Sequence, residues 1–188
     1  AMDLMPYQLD PAKLSLQRPR QRILIADTVG LGKTLEAGIL MSELIARGKG
    51  KRILVVTVKS MMTQFQKEMW NRFTIPLVRL DSNRIQKIRA SLPSNYNPFF
   101  YYDKTIISID TLKRDVEYRT HLENAYWDII VIDEAQNVAE RGDHQAQRSR
   151  LAKLLADRSD TMIMLSATPH DGRAKSFASL MNMLDPTA

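Results

Sequence analysis

A glycine-rich segment near the start of the chain has the composition needed to bind nucleotide phosphates. It follows the apolar run Ile23–Ala26 and precedes a stretch with helical spacing. Backbone N–H groups of such a loop, with the amino end of the next helix, bind phosphates, and glycines permit their close approach. Lys33 would reach the β- and γ-phosphates, and the Thr34 hydroxyl would bind Mg²⁺. The predicted phosphate loop consists of Asp27, Thr28, Val29, Gly30, Leu31, Gly32, Lys33 and Thr34.

The strict phosphate-loop pattern is G-x-x-x-x-G-K-[ST]. Asp27 occupies the position of its first glycine, so the match covers only the second half of the pattern. The alternative is a chance strand–turn–helix that contains glycines. The apolar run before the segment and the helical spacing after it favour the phosphate loop.

Two adjacent carboxylates form a second candidate site. Asp133 and Glu134 directly follow the apolar run Ile129–Ile132. Carboxylates at the end of a buried strand are costly unless they have cationic partners. A magnesium ion would explain Asp133, and Glu134 could polarise the water that attacks a phosphate. The pair is weak evidence alone, but together with Lys33 it predicts a nucleoside triphosphatase site.

The arrangement of apolar runs indicates how these clusters could meet. Short runs rich in Ile and Val suggest strands buried on both faces. Segments with helical spacing lie between them, which predicts an α/β fold with a mainly parallel sheet between two helical layers. Because ligands bind at the carboxyl ends of parallel strands, we expect residues 27–34, 133–136 and 166–171 to converge. The predicted strands are Ile23–Ala26, Ile53–Val58, Ile106–Ile109, Ile129–Ile132 and Met162–Leu165; the predicted helices are Leu35–Ala46, Met61–Phe73, Gln145–Leu155 and Phe177–Leu184.

Composition narrows the class of protein further. The chain has 188 residues, which suits one domain, and it has no cysteine. The absence of cysteine excludes a disulfide scaffold and thiolate metal sites. No apolar run reaches the roughly 18 residues that span a membrane, so the expected location is cytoplasmic. The net charge of +6 favours polyanion partners only weakly.

Three segments of the sequence together resemble motifs I, II and III of superfamily 2 helicases. They are residues 26–34, residues 133–136 and residues 166–169. The form of the phosphate loop is similar to the Swi/Snf-related branch, including its bacterial members, where aspartate is common at the position of Asp27. Thr28 departs from the acidic residue usual there, and the Ala135-Gln136 pair makes a DEAQ variant of motif II. The resemblance implies a RecA-like domain that uses ATP and Mg²⁺.

The resemblance also implies roles for residues outside the triphosphatase centre. Gln8 would read the adenine edge, although an ordinary capping glutamine is the alternative. Residues 54–60 and 106–112 resemble motifs Ia and Ib, which contact the nucleic-acid backbone in the family. The implied nucleic-acid contacts are Lys59, Ser60, Ser108 and Thr111, and the implied coupling residues are Gln136, Ser166 and Thr168. Ser60 and Thr111 could instead cap helices.

Motors of this superfamily have two RecA-like lobes, and the resemblance ends with the chain. We therefore expect residues 1–188 to be the single N-terminal lobe of a larger two-lobe protein, with the second lobe and a nucleic acid, duplex DNA, as partners. The first hypothesis is a DNA translocase or remodeller, and the second is a strand-separating RNA or DNA helicase. A binding module without turnover and a small-molecule kinase complete the alternatives. In the family, arginines of the second lobe complete the transition-state clamp, and such arginines contribute about 10³–10⁵ in rate in related systems. An isolated first lobe is therefore expected to hydrolyse ATP poorly.

Several other residues are open to two interpretations. Trp70 and Trp127 are expected to be packing anchors. Phe99 and Phe100 lie in a predicted surface loop at Ser91–Asp103, where they either anchor the loop or form a contact patch. The basic stretches 18–22, 49–52 and 84–89 could bind nucleic acid, but solvated surface is the favoured interpretation.

Overall fold

The computed structural model describes residues 21–27, 30–114, 116–134 and 145–167. Strands and helices alternate through these ranges. The strands are β1 (Gln21–Asp27), β2 (Ile53–Thr57), β3 (Val78–Leu80), β4 (Lys104–Ser108), β5 (Trp127–Asp133) and β6 (Ser159–Ala167). The helices are α1 (Gly30–Ala46), α2 (Met62–Phe73), α3 (Ser82–Ser91), α4 (Ile109–Arg114), α5 (Val116–Glu123) and α6 (Gln145–Asp157), with 3₁₀ turns at Lys59–Met61 and Pro98–Phe100.

The described strands form one sheet in the order β1-β6-β5-β2-β4-β3. Every neighbouring pair is parallel. The carboxyl ends of all these strands therefore lie along one edge of the sheet. β1 and β5 both pair with β6, so the strand ends at Asp27, Asp133 and Ala167 lie close together at this edge, as the expected convergence requires. Residues 28–29, 135–136 and 168–171 of the predicted segments lie outside the described residues. The α/β fold class is confirmed as well.

Alternate residues of the central strands enter two separate hydrophobic cores. In β2, Ile53 and Val55 pack on the face that α1 and α2 cover, whereas Leu54 and Val56 pack on the opposite face. β5 alternates in the same way, with Ile129 on the first face and Ile130 on the second. Strands covered on both sides need continuous apolar sequence, which is the pattern these runs show. The result is the predicted three-layer arrangement.

The amino edge of the sheet is held together by Arg52, just before β2. Its Nε donates to the Tyr126 carbonyl at 2.8 Å, and its Nη2 donates to the Phe99 carbonyl at 2.9 Å. Its guanidinium carbon lies 4.6 Å from the centre of the Phe100 ring. Asp128 accepts a hydrogen bond from the Arg52 backbone N–H at 2.8 Å. One residue thus connects the segments before β2, β4 and β5.

Some elements differ from the sequence prediction. The three-residue strand β3 and the helices α3, α4 and α5 were not predicted, because each is short or only weakly periodic. Helix α1 begins at Gly30, five residues before the predicted start at Leu35. The predicted helix Phe177–Leu184 lies outside the described residues.

The burial of the tryptophan and phenylalanine side chains agrees with the sequence prediction only in part. Trp127 is fully buried as expected, but the expectation for Trp70 was wrong, since it is 54% exposed on the outer side of α2. Helical spacing places Phe65 and Met69 toward the core, and Trp70 follows them on the solvent side. Phe99 anchors its loop at 1% exposure, whereas Phe100 is 40% exposed and stacks with Arg52.

None of the helices in the described ranges is both long and apolar enough to cross a bilayer.

Candidate active site

Lys33 belongs to the predicted phosphate loop and lies in the first turn of α1. Only 3% of the residue is exposed. Its Nζ lies 3.7 Å from Oε1 of Glu134, which follows β5. β1 and β5 are separated only by β6, a distance of about 10 Å at normal strand spacing, so a long side chain is needed to join them. The fold therefore brings the predicted phosphate-binding cation to the carboxylate pair.

Asp133 ends β5 as a buried carboxyl group with 4% exposure. The Thr57 hydroxyl donates to Asp133 Oδ2 at 3.1 Å from the neighbouring strand β2. Burial raises the pKa of Asp133 above its usual value, and the nearby Glu134 carboxylate adds to the rise. Lys33 and the Thr57 hydrogen bond act in the opposite direction. A bound cation would therefore stabilise the ionised form of this carboxyl group.

Glu134 has the unusual backbone angle φ of 57°. This left-handed conformation is uncommon for a residue with a side chain, and it costs on the order of 1–3 kcal/mol. The turn ends β5 abruptly and leaves the Glu134 side chain 24% exposed, while Asp133 remains buried. Two adjacent carboxylates consequently occupy different environments, one enclosed and one within reach of solvent. This difference suits a metal ligand beside a group that contacts water.

The predicted magnesium ligands have suitable chemistry. Mg²⁺ prefers oxygen ligands and is usually held by one or two carboxylates together with substrate phosphates and water. Thr34, half-buried on α1, has a hydroxyl oxygen, and Asp133 has a carboxylate. In the described part of the chain, no three His, Cys, Asp or Glu side chains form a cluster that could hold a metal by themselves. The available donors therefore fit a magnesium ion that arrives with its nucleotide.

A second polar site lies beside the first, beyond the ends of β2 and β4. Lys59, Ser108 and Thr111 line a cleft of about 430 Å³. Ser108 Oγ lies 2.8 Å from Thr111 Oγ1 and accepts a hydrogen bond from the Thr111 backbone N–H at 3.1 Å. Three of the four predicted nucleic-acid contacts thus share one cleft. Ser60 is exposed in the adjoining 3₁₀ turn.

The capping alternatives can now be compared with the geometry. Ser108 caps the start of α4, because its Oγ accepts the Thr111 N–H. Thr111 therefore receives the cap and does not provide it. Met61 precedes α2 without a side-chain capping bond, so Ser60 is not the cap residue of that helix.

Residues from the end of β3 to the start of α3 complete the cleft, and the sequence prediction missed them. Arg79, Asp81, Ser82 and Asn83 form its other wall. The Asp81 carboxylate accepts from the Arg84 N–H at 2.8 Å and so caps α3. β3 has only three residues, too few for a recognisable alternation, although an Asp before a helical stretch is a usable capping signal. Thr57 was also missed, since nothing in the motif Ia segment assigned it a partner.

Other predicted residues are only partly described. Gln8, Thr28, Val29, Gln136 and Thr168 lie outside the described residues. The Asp27 backbone pairs with Ala167 at the end of β1, and Gly30, Leu31 and Gly32 form the start of α1. Ser166 is buried at 1% exposure, one residue beyond the β6 partner of Asp133.

The parallel sheet with helices on both faces defines an α/β domain of the RecA-like class. Residues 7–188 match the sequence profile of the family described as "SNF2-related domain". That match covers nearly the whole chain, so the chain belongs to the SNF2-related domain family. The predicted resemblance to the Swi/Snf-related branch of superfamily 2 is confirmed.

Two curated relatives are similar over most of this chain. The chain is 34% identical over 183 residues to "RNA polymerase-associated protein RapA" of Sodalis glossinidius, which covers 97% of this chain and 19% of that protein. It is 33% identical to the protein of the same name from Yersinia enterocolitica, with the same coverage. The chain therefore spans about a fifth of the length of these relatives.

A solved structure with the same fold is the "Sulfolobus solfataricus SWI2/SNF2 ATPase core in complex with dsDNA". Its TM-score is 0.70 at 26% identity, and the match covers 99% of this chain and 36% of that one. The Pyrococcus furiosus Hef helicase domain shares the fold at a TM-score of 0.64 and 17% identity, over 95% of this chain and 35% of that one.

Proposed function

We propose that this chain is the first ATP-binding lobe of a two-lobe, nucleic-acid-dependent ATPase that translocates on or remodels duplex DNA. The observation that carries the proposal is the meeting of Lys33 with Glu134, beside buried Asp133, at one edge of the sheet. The cleft that contains Lys59, Ser108 and Thr111 opens along the same edge. A similar SWI2/SNF2 ATPase core has been solved with dsDNA, which favours duplex DNA over RNA.

In this mechanism Lys33 binds the β- and γ-phosphates, and residues 27–34 surround them with backbone N–H groups. Thr34 and Asp133 would hold Mg²⁺, which neutralises phosphate charge when bound. Glu134 would orient the attacking water and accept its proton. Before nucleotide arrives, Glu134 pairs with Lys33, so phosphate must replace a carboxylate beside the lysine.

The second site supplies the substrate contact. Lys59 would neutralise a backbone phosphate, and the hydroxyls of Ser60, Ser108 and Thr111 would donate to phosphate oxygens. Such contacts set position on the duplex without reading its sequence. Gln8 is proposed for the adenine edge, and Gln136, Ser166 and Thr168 for coupling between the lobes. A cytoplasmic location also belongs to this proposal.

The test is the steady-state ATPase rate of the parent protein with both lobes. Duplex DNA, single-stranded DNA, RNA and no nucleic acid are compared, with Glu134→Gln as the blank. We expect duplex DNA to stimulate the rate most strongly. Stimulation by RNA or single strands alone would favour a strand-separating helicase, and no stimulation by any of them would contradict the assignment of the cleft to nucleic acid.

The isolated chain provides a second test. We propose that it binds Mg-ATP weakly and hydrolyses it poorly, because the second lobe completes the site. Robust turnover by the purified lobe that disappears in Lys33→Ala would contradict the two-lobe mechanism. Tight nucleotide binding without turnover in the parent protein would favour the binding-module alternative.

A further inference from the structure

Thr57 interrupts an otherwise apolar strand at its last position. β2 has the sequence Ile53-Leu54-Val55-Val56-Thr57, and all five residues are buried. Valine has nearly the same shape as threonine and would suit such a strand without placing a hydroxyl in the core. The fold alone therefore does not require an oxygen at this position.

The Thr57 hydroxyl has a specific partner on the neighbouring strand. Val56 is paired with Ile132, so Thr57 and Asp133 lie side by side where β2 and β5 end. The hydroxyl donates to Asp133 Oδ2 at 3.1 Å, and Thr57 itself has no exposed surface. A hydrogen bond to a buried carboxylate restricts the rotation of that carboxylate, as outer groups do around metal ligands. Thr57 can thus set the direction in which Asp133 presents its other oxygen.

Thr57 is also connected to the second site. On its other side it is paired with Ser108 of β4, which lines the cleft and caps α4. Along the chain, Lys59 of the same cleft follows after one intervening residue. One threonine therefore lies between the buried carboxylate and two residues of the proposed phosphate-binding cleft.

We propose that Thr57 is a positioning residue that orients the Asp133 carboxylate for metal binding and makes this orientation depend on occupancy of the nucleic-acid cleft. This inference rests on the proposed function. A ligand that draws the ends of β2 and β4 toward it changes the direction of the Thr57 hydroxyl. The carboxylate then receives a hydrogen bond of different geometry, without any contact between nucleic acid and nucleotide.

The test compares Thr57→Val, which removes only the hydroxyl, with Thr57→Ser, which keeps it. Thr105→Val is the matched control, because Thr105 is a buried threonine of neighbouring β4 whose Oγ1 has no hydrogen-bond partner. All variants are made in the two-lobe parent protein. Binding of a fluorescent ATP analogue is measured in Mg²⁺ and in EDTA, each with and without duplex DNA. The ratio of the affinity in Mg²⁺ to the affinity in EDTA is the Mg²⁺-dependent gain, which measures the metal-dependent part of binding.

We expect Thr57→Val to lower the Mg²⁺-dependent gain in affinity and kcat by about 10–100-fold, the usual cost of losing an outer partner of a metal ligand. Affinity in EDTA and affinity for DNA should stay within about twofold of wild type, since no direct contact is lost. DNA should change the Mg²⁺-dependent gain in wild type and Thr57→Ser but not in Thr57→Val. Thr105→Val should behave as wild type in every assay.

Any one of three results would overturn the inference. The first is that Thr57→Val and Thr105→Val have the same Mg²⁺-dependent gain in affinity for the ATP analogue. The second is that Thr57→Val loses affinity equally in Mg²⁺ and in EDTA, and the third is that its Mg²⁺-dependent gain still changes when DNA is added. Failure of the proposed function gives a different pattern, because the wild-type protein itself would then show no response to DNA. If Thr57→Val fails to fold, the ratio of the affinities of Thr57→Ser in Mg²⁺ and in EDTA decides. The inference then requires that this ratio is close to the wild-type value and still changes when DNA is added.

Discussion

Lys33 at the carboxyl edge of the sheet and Arg52 at the amino edge are both largely enclosed cations, yet their surroundings differ. Lys33 meets the Glu134 carboxylate at 3.7 Å, across a turn with left-handed backbone. Arg52 donates to two carbonyls at 2.8 and 2.9 Å, stacks on Phe100 and lies 3.9 Å from Asp103. Burial lowers the pKa of Arg52, and Asp103 and Asp128 oppose that shift.

The difference shows how one sheet separates stability from function. At the amino edge the cation makes two short hydrogen bonds to backbone carbonyls. At the carboxyl edge, a raised pKa at Asp133 and unfavourable backbone at Glu134 indicate free energy that binding could recover. Costly local arrangements of this kind are typical of ligand sites, where they give rise to a stability–activity trade-off.

The largest effect is expected when the carboxyl edge loses its proposed base. Glu134→Gln in the parent protein should lower DNA-stimulated ATP hydrolysis by about 10²–10⁴, the usual contribution of a general base. Binding of ATP should be retained, because the amide keeps the size of the side chain. Glu123→Gln, an exposed residue of α5, is the matched control and should leave the rate unchanged. Equal rates for the two variants would remove Glu134 from the mechanism.

At the amino edge the same logic predicts a loss of stability without a loss of chemistry. Arg52→Ala should lower the free energy of unfolding by about 2–3 kcal/mol, because it leaves the Tyr126 and Phe99 carbonyls without their side-chain donor and removes the charge beside Asp103. Urea unfolding of this chain measures the change. Arg52→Lys should recover only part of it, because lysine lacks the planar fork. If Arg52→Ala in the folded parent protein lowered kcat as much as Glu134→Gln does, the amino edge would also be needed for chemistry, and the contrast between the two edges would be wrong.

The buried Asp133 carboxyl group should make the stability of the folded chain depend on pH. Because burial raises its pKa, the folded state holds the proton more tightly than the unfolded state. The resulting stability is fully present below the unfolded pKa of about 4 and is lost as pH rises through the folded pKa. Asp133→Asn should therefore raise the melting temperature of this chain by a few degrees at neutral pH in EDTA.

That advantage of Asp133→Asn should shrink as the pH falls toward about 4, where the wild-type carboxyl group is also neutral. Melting temperatures of both proteins across this range measure it. A wild-type protein that is the more stable of the two at neutral pH would show that Asp133 stabilises the empty lobe.

The smallest effect is expected for a single exposed cation in the cleft. Lys59→Ala in the parent protein should weaken duplex DNA binding severalfold, and it should lower the slope of log K against log salt by about 0.9 for one lost phosphate contact. Lys51→Ala removes the same charge at the amino edge and should change neither quantity. Titrations of duplexes of different sequence at several salt concentrations measure both. Equal slopes for the two variants would place the nucleic acid elsewhere.

Local signals account for much of what could be anticipated. The phosphate loop could be predicted because its glycines, Lys33 and Thr34 are close together in the sequence, so local spacing alone suggests the chemistry. β2, β5 and β6 were recognisable because burial on both faces demands continuous apolar residues. β3 was not predicted, because three residues are too few to show a period in hydrophobicity. For the same reason, the cleft residues at Arg79–Asn83 were not predicted. Trp70 was misjudged because helix phase, not residue type, decides which side chains face the core.

Pairings between distant residues required the folded sheet. Lys33 and Glu134 are about 100 residues apart, and they meet because β1 and β5 both lie beside β6, close enough for the lysine side chain to span the gap. Thr57 meets Asp133 through the register of β2 and β5, which a shift of one residue would destroy. Strand order and register depend on how the helices pack over both faces, so they are collective properties of the chain. Residue types and local spacing therefore specify the chemical groups, and long-range packing selects which of them touch.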